Sequence, residues 1–136
     1  MIKLKRPRKY LVLTFLIIAF LAMIYKAYQF RHNFAFTIGQ VIRITPPGYR
    51  TTGDYSVLYE YEINNTVYTE SNSYNYCGFQ NMAQIKALLI GKHFPVAYGT
   101  KDPSTGTMLL TQENADIFKY QLPDSLRVYD TILTCK

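Results

Sequence analysis

The sequence predicts a mainly β protein: an N-terminal transmembrane helix followed by a small antiparallel β barrel or sandwich with one or two short helices. Three observations predict it. The sixteen residues from Tyr10 to Tyr25 contain Thr14 as their only non-aromatic polar residue. Seven of the 15 basic residues fall within the first 31 positions, and no acidic residue does. Beyond position 36 the apolar pattern repeats every two residues, the period of a strand. The chain has 136 residues, 49% apolar and 18% charged, which leaves room for one domain and excludes a disordered tail or a multi-span transporter.

Residues 1–9 read as a basic cytoplasmic segment, 10–30 as the transmembrane helix, 31–36 as a juxtamembrane connection and 37–136 as an exported β-rich domain. Sixteen helical residues measure about 24 Å, short of a hydrocarbon core of roughly 30 Å. Extension through Phe30 restores the span, with Lys26 reaching its ammonium toward the interface and Tyr10, Tyr25 and Tyr28 placed as an aromatic belt. Five basic residues among the first nine predict a cytoplasmic N-terminus and a C-terminal domain outside, on a single-pass protein of the cell membrane. A cleaved signal peptide shares the basic start and apolar middle, but cleavage after Ala22 puts Phe20 at −3, and cleavage after Ala27 puts Tyr25 there. An uncleaved signal-anchor is the expectation.

The net charge of +6 first suggests a nucleic-acid partner. From Phe34 onward, however, 8 basic residues face 9 acidic ones, a balance of −1. The basic pI belongs to the N-terminus, and no basic-aromatic interleaving recurs in the domain, so nucleic acid is not an expected partner. The lipid bilayer is.

Along the domain, residues 37–44 read as a strand with Ile38, Gln40 and Ile42 on one face and Val41 and Arg43 on the other, ended by Pro46-Pro47-Gly48. Residues 49–54 read as a loop. The clearest strand is 55–63, with Val57, Tyr59, Tyr61 and Ile63 on one face. Asn64-Asn65 occupies the place of a two-residue hairpin turn, which sets Tyr61 opposite Tyr68 and Tyr59 opposite Glu70. Residues 71–79 read as a loop. Met82, Ile85, Leu88 and Leu89 have helical spacing, with Asn81 as N-cap and Gly91 as stop. Residues 93–98 read as a strand placed at an edge or made irregular by Pro95. A turn at Asp102–Gly106 leads into a strand at 107–111. The tail holds a helical turn around 115–120, broken by Pro123.

The order of features resembles a broad group of small bacterial membrane-anchored proteins whose shared domain has no established function. The residues that carry the resemblance lie within about 37–111. They are Gly39 and Val41; Tyr59, Tyr61 and Ile63; Asn64, Asn65 and Tyr68; Gly91, Phe94, Val96 and Tyr98; and Asp102 and Pro103. Asn65 stands where that pattern usually has glycine. The resemblance implies a β-domain and a place in the cell envelope, and no activity.

Catalytic constellations are thin. No zinc-protease, Cys-x-x-Cys, phosphate-loop or nucleophile-elbow pattern occurs. His93 and Cys77 are the only histidine and thiol in the domain apart from Cys135. Glu60 and Glu62 share a strand face about 7 Å apart, as two solvated glutamates commonly do. The chain is therefore read as a non-enzyme without metal or small-molecule cofactor. Seven tyrosines between 49 and 76 are the one feature suited to binding, and Tyr59, Tyr61 and Tyr68 form the candidate face. The competing reading is that these rings build a core. Cys77 and Cys135 are the chain's two cysteines, both in the exported part, where a disulfide is expected. The alternative is an unpaired buried Cys77 and a frayed Cys135. The expected function is a non-catalytic, membrane-tethered envelope module that binds a protein or cell-wall component. An immunity-type protein acting against a toxin at the membrane is the alternative, and an exported enzyme comes third.

Overall fold

In this computed structural model the residues described are 7–48, 53–76 and 81–134. Helix α1 spans Pro7–His32. It is long and apolar enough to cross a membrane, and its side chains from Tyr10 to Tyr28 are exposed. At 26 residues it measures about 39 Å.

The expected connection at 31–36 is not a connection. The helix runs to His32 and strand β1 (Phe34–Thr45) starts at once, so only Asn33 lies between them. Asn33 closes the last turn, its N–H donating to the Gln29 carbonyl at 2.8 Å and its side-chain amide to Gln29 Oε1 at 2.7 Å. The first residues of β1 then pair with a distant strand, Phe34 opposite Gly99, which local composition cannot reveal.

Strands β2 (Asp54–Ile63), β3 (Thr66–Asn75), β4 (His93–Gly99) and β5 (Gly106–Met108) complete an antiparallel sheet of order β3-β2-β1-β4-β5. It curls into a nearly closed barrel, bringing its edge strands β3 and β5 together. The fold is the mainly β one expected, with short helices α2 (Met82–Leu89), α3 (Gln112–Asp116) and α4 (Arg127–Leu133). The Asn64-Asn65 turn is as expected: both residues have positive φ, 50° and 63°, and Ile63 opposes Thr66. Asn81 caps α2, its side chain accepting from the Ala83 N–H, and Gly91 follows with φ 78°.

Four further expectations are corrected. Residues 71–75 are not loop but the second half of β3, since their partners Asp54–Leu58 provide a ladder that overrides weak strand propensity. In β1 a bulge between Val41 and Arg43 breaks the alternation, so Val41 and Ile44 are buried while Ile42 and Arg43 are both exposed. Strand β4 lies inside the sheet despite Pro95. The Pro95 carbonyl accepts from the Leu109 N–H at 2.8 Å, so the missing proline N–H faces the same side, where the β5 ladder has already ended at Met108. The strand expected at 107–111 stops at Met108, and Thr111 instead caps α3.

Two cores result. The barrel interior holds Val41, Ile44, Tyr55, Val57, Tyr59, Phe94, Val96 and Met108, joined in one buried cluster by Ile85 and Leu89 of α2 and by Leu133 of α4. A second cluster on the outer face of β4 joins Ala97 to Leu109, Ala115, Phe118 and Leu122 of the tail. Gln112 fastens this tail. Its N–H donates to Asp130 at 2.8 Å, its amide donates to Asp116 at 2.7 Å, and its Oε1 accepts from the Leu122 N–H at 3.2 Å.

Candidate functional site

The tyrosines point inward. Tyr55, Tyr59 and Tyr61 alternate along the inner face of β2, and their rings lie against Tyr74 and Tyr68 of β3 and Tyr98 of β4. Of the candidate binding face, Tyr59 is 0% and Tyr61 3% exposed, and only Tyr68 is partly accessible, at the rim of the stack. Tyr59 and Tyr61 therefore belong to the core, and direct contact of their ring faces with a partner would require the barrel to open.

What these rings do is visible at the seam between β3 and β5. The Asn72 side-chain oxygen accepts from the Tyr59 hydroxyl at 2.6 Å and from the Met108 N–H at 3.0 Å. The Tyr74 hydroxyl donates to the Met108 carbonyl at 2.5 Å, so both backbone polar groups of Met108 are satisfied by β3 side chains. The Tyr61 hydroxyl donates to the Pro103 carbonyl at 2.6 Å, tying β2 to the β4–β5 turn. Burial pushes Tyr55 up to about 12, and burial followed by Glu70 pushes Tyr61 up to about 12. Tyr59 and Tyr74 are raised as well, chiefly by burial, and all four phenols are neutral at ordinary pH. Glu70 lies on the same inner face, and its carboxyl is raised by burial and then by Asp102.

The remaining candidates do not converge. Glu60, Glu62 and His93 are exposed, and His93 pairs in register with Gln40. Cys77 and Cys135 lie outside the described residues, and among the described residues no three His, Cys, Asp or Glu side chains come together. The described chain leading to each cysteine does line one small polar cleft, Tyr74 and Asn75 on one side and Leu133 and Thr134 on the other.

A larger cleft, about 520 Å³ and mostly apolar, lies where α1 meets the barrel. Its helix wall is Lys26, Gln29, Phe30 and Asn33, which recur at the spacing of one helix face, with Tyr25 and Ala27 beside them. Its other wall is the β4–β5 turn, through Gly99, Lys101, Asp102 and Thr105. Both walls are held in place. The Asn33 carbonyl accepts from Thr100 N–H and Oγ1, at 3.0 and 3.2 Å. Phe30 and Phe34 both pack edge-on against Phe118, with ring centroids at 5.3 and 5.2 Å. Gly99 permits the β4–β5 turn to fold tightly back on itself, since a Cβ there would stand 2.9 Å from the Asp102 carbonyl oxygen. The Asp102 carboxylate accepts from Ser104 Oγ at 2.5 Å and Thr105 Oγ1 at 3.3 Å, and these bonds, Ser104 foremost, hold it below its ordinary range. Two lysines and one aspartate leave the rim with a net charge of +1.

Nothing in the sequence joined residues 25–33 to 99–105. The only trace was the Asp102-Pro103 turn, which reads as a turn wherever it occurs. The geometry defines a nearly closed five-stranded barrel mounted directly on an apolar helix. Comparisons with family models, curated proteins and solved structures found no match to this chain.

Proposed function

We propose that this chain is a non-catalytic, membrane-tethered module of the cell envelope whose barrel, held outside the cytoplasm, binds a protein or cell-wall component. The observation that carries the reading is the junction. An exposed apolar helix passes into β1 through Asn33 alone, and Phe30, Phe34 and Phe118 clamp the two together. A barrel so mounted stands at the membrane surface in a set orientation, which suits presentation of a fixed face to a neighbour rather than search on a flexible tether. The seven basic residues within the first 31 positions support a cytoplasmic N-terminus. The resemblance to small bacterial membrane-anchored β-domain proteins supports the same address.

A reporter active only outside the cytoplasm, fused after Lys136, is expected to work, and the protein should sediment with membranes and keep its N-terminus. Activity of a cytoplasmic reporter alone at that position would invert the topology. An N-terminus beginning after Ala22 or Ala27 would show a cleaved export signal instead of an anchor.

A further inference from the structure

We propose that the cleft between the last turns of α1 and the β4–β5 turn binds one membrane phospholipid with an anionic headgroup, its acyl chain along Tyr25, Ala27 and Phe30 and its phosphate between Lys26 and Lys101. The inference rests on the membrane-tethered reading above and adds a ligand to it.

Depth is the first argument. Counted from Tyr10, where the apolar run begins, Tyr25 lies about 23 Å and Asn33 about 35 Å along the helix. A hydrocarbon core of roughly 30 Å ends between them. The cleft therefore straddles the level at which acyl chains meet headgroups, and lipid is the molecule most concentrated there.

Chemistry is the second. The lining is apolar where the chain would lie, and its two cations, Lys26 and Lys101, stand on opposite walls, Lys101 beside Asp102. Lys26 is the only charged residue between Lys9 and Arg31, so the apolar stretch of the helix carries its one cation at this level. Asp102, kept ionised by its bonds to Ser104 and Thr105 and sensing the Lys26 charge, offsets one of the two cations and leaves one positive charge over. The net positive rim matches one phosphodiester.

Preorganisation is the third. The walls are pinned by the Asn33–Thr100 bonds and the Phe30–Phe118 contact, so little ordering remains to oppose binding. The volume of about 520 Å³ is that of a ligand site. The polar cleft beside Thr134 has neither the apolar wall nor a cation.

The test uses the full-length protein in nanodiscs of phosphatidylcholine mixed with an equal amount of phosphatidylglycerol, followed by native mass spectrometry of the released protein. One retained phosphatidylglycerol per chain is expected, about fivefold over phosphatidylcholine, the size of effect one lysine has at an anionic surface. Lys101→Ala, in an exposed turn, should abolish that preference, and Ala27→Trp, which fills the cleft, should abolish retention of either lipid. Glycerol 3-phosphate added to nanodiscs of phosphatidylcholine alone should give no adduct. Equal retention of both lipids, retention unchanged in Lys101→Ala, or an adduct with the soluble phosphate would each overturn the site. Failure of the chain to enter nanodiscs at all is seen before any lipid is counted, and would overturn the membrane reading as well.

Discussion

Strand β3 is held on its two sides by different chemistry. Toward β2 it makes a continuous ladder of ten residue pairs, from Asp54 opposite Asn75 to Ile63 opposite Thr66, closed by a two-residue turn. Toward β5 it meets a strand of three residues, and the contact is made by the side chains of Asn72 and Tyr74 on the backbone of Met108. The ladder is local and repetitive, so loss of one side chain leaves its neighbours paired. The seam concentrates closure in two residues, and each orphaned group there is a buried one. The abundance of tyrosine follows: a phenol fills the interior as a large apolar ring and ends in a donor that reaches across the gap.

The largest effect is expected from a covalent addition to the weaker side. Tyr74 and Asn75 share a cleft with Leu133 and Thr134, just ahead of Cys77 and Cys135 in the chain. We propose that these cysteines pair, closing about 59 residues and contributing roughly 4 kcal/mol on the chain-entropy account. Thiol labelling of the unfolded, unreduced protein should find none free, and two free thiols would sink the idea. Next comes Asn72→Ala, which strands the Met108 N–H and the Tyr59 hydroxyl. It should cost about 2–4 kcal/mol in chemical denaturation, against less than about 0.5 kcal/mol for Ser71→Ala on the exposed side of the ladder. Equal losses at the two positions would mean that the seam carries no special share.

Tyr74→Phe removes one hydroxyl and leaves the Met108 carbonyl unpaired, for about 1–3 kcal/mol, whereas Tyr68→Phe at the rim should be nearly silent. Glu70 adds a pH signature. Because burial and then Asp102 raise its carboxyl above the ordinary 4.5, the folded state keeps that proton to higher pH than the unfolded chain does. Stability should therefore fall as pH rises from about 4.5 through the raised folded value. Glu70→Gln should remove that fall, making the variant the more stable at neutral pH but not in acid, as thermal melts across the range would show. Asp102 acts in the opposite sense and lower in pH, since its lowered carboxyl contributes stability that is lost as pH drops below its ordinary 3.8. The smallest effect belongs to the ladder's turn. Asn65→Gly at φ 63° should gain between zero and about 1 kcal/mol, the relief of a left-handed residue offset by a freer unfolded chain. A clear loss there would assign the Asn65 side chain a contact of its own.

Where one face of an element meets one environment, its pattern was readable. The shared face of Val57, Tyr59 and Tyr61, the Asn64-Asn65 turn that pairs Tyr61 with Tyr68, and the capped helix from Asn81 to Gly91 all follow from residues within ten positions of one another. Where an element meets two environments, the pattern disappears. Strand β4 is buried from Phe94 through Ala97 because the barrel takes one face and Phe118 and Leu122 cover the other, so no alternation survives to mark it.

The candidate site divides along the same line. Composition alone sets an apolar helix of spanning length with a cation near its far end, and a β domain rich in rings, because hydropathy and period are local quantities. The inward turn of those rings, the sealing of the barrel through Asn72 and Tyr74, and the cleft that joins Lys26 to Lys101 depend on contacts between residues more than thirty positions apart. Such contacts exist only once the sheet has curled and the tail has docked, and no local pattern encodes that closure.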